Sequence, residues 1–150
     1  MSPALAARLH AEHRRLGPAL ERLRNVADQV DTLTPPQLRD TLADVHHFLM
    51  TDLLEHERLD EEDIYPAIAA QLSGEDPLGA LSRTHQEIFH LARLLDLLIG
   101  DLPAAGPDPH DLPDIRRLLY SLHAVLQLHF AQEEELYQSV SEHDGVDVQP

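Results

Sequence analysis

Apolar residues recur every third or fourth position in four separate stretches of the chain, and in none of them do they alternate with polar residues as a half-buried strand requires. This periodicity predicts an all-α protein. Each stretch opens on start chemistry. Ser2-Pro3 precedes the first, Thr34-Pro35 with Gln37 three residues after the threonine resembles a capping box before the second, Asp76-Pro77 follows a Ser73-Gly74 stop, and Asp111 lies near Pro113. The segments between them, Asp31 to Thr34, Ser73 to Asp76 and Leu102 to Leu112, are short and rich in Pro, Gly and Asp. Such connections join neighbouring helices in opposite directions, so the expected fold is an up-down-up-down antiparallel four-helix bundle. At 150 residues and 43% hydrophobic content the chain is expected to be one domain with a core that needs no disulfides. A short tail from about Asp144 is expected to fray. Gly17-Pro18 in the first helix and Pro66 in the second each predict a kink, because proline removes a backbone hydrogen bond.

Each apolar seam is interrupted by a histidine. The first runs Leu9, His13, Leu16, Leu20, Leu23, and the third Leu78, Leu81, His85, Ile88, Ala92, Leu95, Ile99. The second combines Leu42, Leu49 and His56 with His46, Leu53 and Asp60 on the adjacent row; the fourth runs Leu119, Leu122, Leu126, His129, Glu133, Leu136, Val140. Counted from the turns that join the helices, His13 and His56 fall within two residues of one level, as do His85 and His129, a difference of roughly 3 Å. His56 and Asp60 are four apart, as are His129 and Glu133, so each pair stacks on one helix face. Four imidazoles and two carboxylates therefore converge in one layer. A lone inward histidine is usually a satisfied core residue, but six polar residues at matched heights point to a metal site.

A diverged repeat supports this layer. EHRRL followed by HERLDEEDIY is echoed by THQEI followed by HFAQEEELY, with His13 and His56 43 residues apart and His85 and His129 44 apart. Equivalent halves, each with two imidazoles and one carboxylate, suit two metal ions bridged by carboxylates. Buried carboxylates without partners would cost several kcal/mol each, which a dication offsets. Glu57, beside His56 and three before Asp60, is a further candidate ligand. His46 suits core packing better than ligation, and His10, His47, His90, His110, His123 and His143 are expected at the surface or rim, with His10 the candidate exception.

Composition narrows the chemistry further. The absence of cysteine excludes thiolate sites and disulfides and fits a reducing compartment. A net charge of -16, from 27 acidic and 11 basic residues, argues against nucleic-acid and membrane partners. The opening MSPALAARLHAEHRRL lacks the uninterrupted apolar run of a signal peptide, so a cytoplasmic location is expected.

His13, the segment HERLDEEDIYP from His56 to Pro66, His85, and HFAQEEELY from His129 to Tyr137 resemble the hemerythrin-like, HHE cation-binding family over roughly Pro3 to Val140. The resemblance implies a four-helix bundle with a non-haem, usually di-iron centre, its ions bridged by carboxylate and by oxo or hydroxo. It implies His13, His56, His85 and His129 as terminal ligands and Asp60 and Glu133 as bridging carboxylates. His56-Glu57-x-x-Asp60 is similar to the H-E-x-x-E arrangement of iron-sensing members, which supports Glu57. The chain departs from the family in three places. Asp60 stands where glutamate is usual, leaving Glu61 as a rival. Tyr65 follows His56 by nine residues but Tyr137 follows His129 by eight, leaving Glu134 as a rival to Glu133. Phe89 occupies the position four after His85, where oxygen-carrying members have a second histidine, so a reversible oxygen carrier is disfavoured.

The expected activity is binding of, or reaction with, dioxygen, peroxide or nitric oxide, in a peroxide-decomposing or an oxygen- or iron-responsive setting. An iron sensor or reservoir without turnover is the alternative, and manganese or zinc also suits nitrogen and oxygen donors. A ferritin-type oxidase is disfavoured, since the sole Glu-x-x-His spacing, Glu87 to His90, faces away from the seam.

Overall fold

The computed structural model describes residues 3–72 and 76–144. Ser2, the Ser73-Gly74 stop, the residues after Asp144 and the His143 side chain lie outside the described residues. Among the described residues there is no strand, and four long helices form a helical bundle. Helix α1 covers Pro3–Gln29, α3 Leu78–Asp101 and α4 Leu112–Asp144. Helix α2 is a continuous rod of five segments: Pro35–Phe48, a π turn at Leu49–Leu53, Leu54–Leu59, a second π turn at Asp60–Ile64, and Tyr65–Ala69. No described helix is long and apolar enough to cross a membrane.

The helix starts follow from local chemistry. Thr34 Oγ1 accepts from the Gln37 amide (3.3 Å) while Gln37 Oε1 accepts from the Thr34 amide (3.0 Å), completing the capping box. Asp76 Oδ1 accepts from the amides of Leu78 (3.0 Å) and Gly79 (3.3 Å), satisfying donors that the first turn of α3 leaves free. The start of α4 differs from expectation. Asp108 caps a single 3-10 turn, Pro109–Asp111, that leads into the helix, and Asp111 returns the bond to the Asp108 amide. The connection before it is fastened to the start of α2: Arg39 donates to the Ala104 carbonyl, and Gly106, at φ +108°, sits where a Cβ would overlap the Pro35 carbonyl.

The proline expectations divide. Helix α1 continues through Gly17-Pro18, and Pro18 lies on the exposed face. There water can satisfy the Arg14 carbonyl that loses its partner. In α2 the disturbance falls upstream of Pro66. The Tyr65 amide bonds the Asp60 carbonyl five residues back, and Pro66 has no N–H with which to continue the ladder, so one wide turn is fixed at Asp60–Ile64.

Side-chain partners on α1 with the turn after it and on α4 run in opposite order: His10 and His13 meet Glu134, Glu21 meets His123, Asp28 meets Tyr120 and Asp31 meets Arg116. The apolar core is in two pieces. A large leucine-rich cluster, including Leu16, Leu23, Leu42, Leu49, Leu53, Leu95, Leu119 and Leu122, fills one part of the bundle. A smaller cluster of Leu9, Ile64, Tyr65, Ile68, Leu78, Leu81, Tyr137 and Val140 fills the other. Between them in chain order on every helix lie buried polar residues.

Candidate metal centre

Among the described residues eight histidines and carboxylates are buried, and seven of them, His13, His56, Glu57, Asp60, His85, His129 and Glu133, form one continuous layer; the eighth, His123, lies apart beside Glu21. One half gathers donor atoms of Glu57, Asp60, His85 and His129, and the other those of His13, His56 and Glu133, with all donors in each group within 4.8 Å of one another. The rings of His85 and His129 lie 4.6 Å apart, those of His13 and His56 5.1 Å. Two carboxylates face both halves. Asp60 Oδ2 is 3.4 Å from His56 Nε2 and 3.8 Å from His85 Nε2, and Glu133 Oε1 is 3.4 Å from His13 Nε2 and 3.1 Å from His129 Nε2.

The halves are not equivalent. Glu57 Oε2 touches His85 Nε2 and lies 3.4 Å from His129 Nε2, so the first half has a carboxylate of its own. The repeat-related position, one residue after His129, is Phe130, which stacks on His13 at 4.4 Å and 13° and meets His56 edge-on at 5.4 Å. Phe89, where a second imidazole of α3 would stand, is 39% exposed. Glu57 thus supplies a donor to the half that lacks that imidazole.

An outer set of partners orients the rings with near two-fold regularity. Glu61 Oε1 lies 2.7 Å from His85 Nδ1, and Glu134 Oε1 lies 2.8 Å from His13 Nδ1. Each outer carboxylate is held in turn by the residue three before its histidine: Ser82 donates to Glu61 (3.1 Å), and His10 lies 3.1 Å from Glu134. Bonding through Nδ1 leaves Nε2 of both rings facing the layer, the arrangement by which second partners fix a metal-binding imidazole. Tyr65 stacks on His85 and Tyr137 on His13, and both phenols donate to Glu133 Oε2, at 3.0 and 2.7 Å. The unequal spacings of nine and eight residues to these tyrosines are reconciled by the π turn, which takes up one extra residue and brings Tyr65 back to the layer.

The electrostatics are those of a layer holding too much negative charge. Burial, followed by the charge of Glu133, pushes the Asp60 carboxyl up to about 11. Burial would also raise Glu133, but the close His129 and His13 rings outweigh it and hold that carboxyl well below the ordinary range. Two facing carboxylates in a low-dielectric site cannot both ionise without a cation, so the proton stays on Asp60. Burial lowers His129 less than Glu133 and Glu57 raise it, leaving it at about 9. For His56, burial prevails and the value falls.

The donors fit N/O-binding cations. His13 Nε2, His56 Nε2, His129 Nε2, Glu133 Oε1 and both oxygens of Glu57 and of Asp60 are buried without a hydrogen-bond partner. They approach one another within 4 Å yet without hydrogen-bonding geometry, so their lone pairs converge on common points instead. Leaving so many buried polar atoms unpaired would cost roughly 1–3 kcal/mol each, more where charged.

All seven residues expected at the site lie in the layer. The rivals Glu61 and Glu134 belong to the outer set. His46 does not pack in the core: it is half-buried beside Asp96, at 2.7 Å. His123, expected at the surface or rim, is buried against Glu21. His10, His47, His90 and His110 are exposed, as is Glu87. Tyr137 is the residue that sequence reasoning missed: it occupies the seam in place of Leu136, and its position four after Glu133 was the available signal. Asp108, His110 and Asp111 also gather at the surface, where the two aspartates are engaged in the capping turn of α4.

A helical bundle with a buried layer of histidines and carboxylates defines a class of cation-binding helical proteins. The family model described as the hemerythrin HHE cation-binding domain matches residues 4–140, and the chain belongs to that family. No curated protein and no solved structure matches it.

Proposed function

We propose that this chain holds two iron ions in its polar layer and binds or reacts with dioxygen, peroxide or nitric oxide. The observation that carries this reading is the set of unpartnered buried donors, divided between two histidine pairs with Asp60 and Glu133 facing both. On this reading His13 and His56 would hold one ion, His85, His129 and Glu57 the other, and Asp60 and Glu133 would bridge them. Bound iron supplies redox electrons and coordination positions for small ligands, whereas zinc in the same donors would supply only Lewis acidity, and manganese also suits the set.

The chain's own residues set the conditions for that chemistry. Phe130 and the leucines beside the layer exclude bulk water. A gap of about 20 Å³ opens beside His56, lined by residues including Leu5, Leu9, Glu12, Leu59 and Ile64. This is room for one water-sized molecule. The Tyr65 phenol is the proton-bearing group that contacts both Glu133 and His85. The protein is further read as one cytoplasmic domain with up-down-up-down helices. The cysteine-free composition supports the location, and the opposed order of partners on α1 and α4 supports the topology.

The test is metal content of the natively purified chain by mass spectrometry, with its visible spectrum in air. About two irons per chain with near-ultraviolet bridge bands are expected, and no metal after anaerobic iron loading would overturn the reading. If the iron-loaded protein released no oxygen from peroxide, the peroxide-decomposing version would be removed. A second reading, an iron sensor without turnover, is favoured by the facing buried carboxylates, one of which must take up a proton when metal leaves. Identical melting with and without metal would exclude it.

A further inference from the structure

The two carboxylates that face both halves differ in how many oxygens they have free. Both oxygens of Asp60 lack a hydrogen-bond partner. On Glu133 only Oε1 does, because Oε2 accepts from Tyr65 at 3.0 Å and from Tyr137 at 2.7 Å. A carboxylate oxygen has two in-plane lone pairs, and two phenol donors occupy both. Neither phenol can turn away easily: the side chains are 4% and 3% exposed, and their rings lie against His85 at 5.3 Å and His13 at 6.3 Å. The extra residue of the Asp60–Ile64 π turn is what brings Tyr65 to this oxygen at all.

Resting on the two-ion reading above, we propose that Tyr65 and Tyr137 are positioning residues that confine Glu133 to binding metal through Oε1 alone, so that Asp60 is the one shared carboxylate free to use both oxygens. The arrangement removes one donor from the centre and leaves a place that a small ligand can take. Tyrosines serving only as packing would make no such distinction, and phenylalanine would replace them without altering the carboxylate.

Crystal structures of the zinc-loaded full chain and of its Tyr65→Phe/Tyr137→Phe variant decide the matter, with zinc counted by mass spectrometry in both. Zinc is redox-silent, so the readout is independent of turnover. In the wild type, Glu133 Oε2 is expected to keep both phenol bonds while only Oε1 binds zinc; in the double variant Oε2 moves to a zinc–oxygen distance of about 2.0–2.2 Å. Both Glu133 oxygens on zinc in the wild type, or unchanged one-oxygen binding in the double variant, would overturn the proposal. Should the double variant not fold, Tyr137→Phe alone decides by the same distance, since it removes the shorter bond. A wild type that takes up no zinc and no iron would instead sink the metal reading itself.

Discussion

The two halves of the centre follow one pattern, and the position after the α2 and α4 histidines divides them most. After His56 comes Glu57, which adds a carboxylate against His85 and His129; after His129 comes Phe130, which closes over His13 and His56 with an apolar ring. One half thus gains a donor that the other replaces with a wall. The lesson is that near-symmetric halves can be given different tasks by one side chain: a charged donor holds a cation, whereas a ring excludes water and leaves coordination incomplete.

This contrast divides the carboxylates into shared and private ones, and substitution can separate them. The largest effect is expected from Glu133→Ala, which removes a shared group: both ions should be lost, read as metal per chain after loading. Retention of about two ions would break the scheme of shared bridges. Glu57→Gln touches the private carboxylate, so about one ion per chain should remain, held by His13 and His56. Equal loss from both halves would erase the contrast. Asp60→Asn should act on the metal-free protein in the opposite sense, raising its stability at neutral pH by roughly 1–4 kcal/mol in denaturant titration, because the Asp60 carboxyl must take up a proton on folding and a neutral amide need not. A fall in stability would place the strain elsewhere. The smallest effects are expected from Glu61→Gln and Glu134→Gln, each weakening the ion of its own half by about 10–100-fold in competition with a chelator.

Much of this was legible in the seams. His13, His56, His85, His129, Asp60 and Glu133 interrupt apolar rows at three- and four-residue steps, and burial forces whatever sits in such a row toward the core. The choices between Asp60 and Glu61, and between Glu133 and Glu134, were harder, because adjacent helix residues differ by about 100° and the unequal tyrosine spacings suggested a shifted register. The π turn resolves this, but no local propensity announces one; only Pro66, lacking its amide, hints that the ladder is interrupted nearby. Glu57 stands off the ideal seam and reaches the layer because the site extends past that seam toward α3. The burial of His123 is not legible in the sequence because its partner, Glu21, is on another helix, and no sequence pattern pairs residues 102 apart.

The division of the apolar core into a large and a small cluster bears on how the protein opens. Amide hydrogens of α2 near Leu42 and Leu49 are anchored by leucine packing alone and should be shielded from deuterium whether or not a cation is present. Those near Ile64 and Ile68 belong to a patch too small to hold itself closed against the charged layer beside it. Exchange there becomes a gauge of cation occupancy, so one end of the molecule keeps the fold while the other reports what is bound.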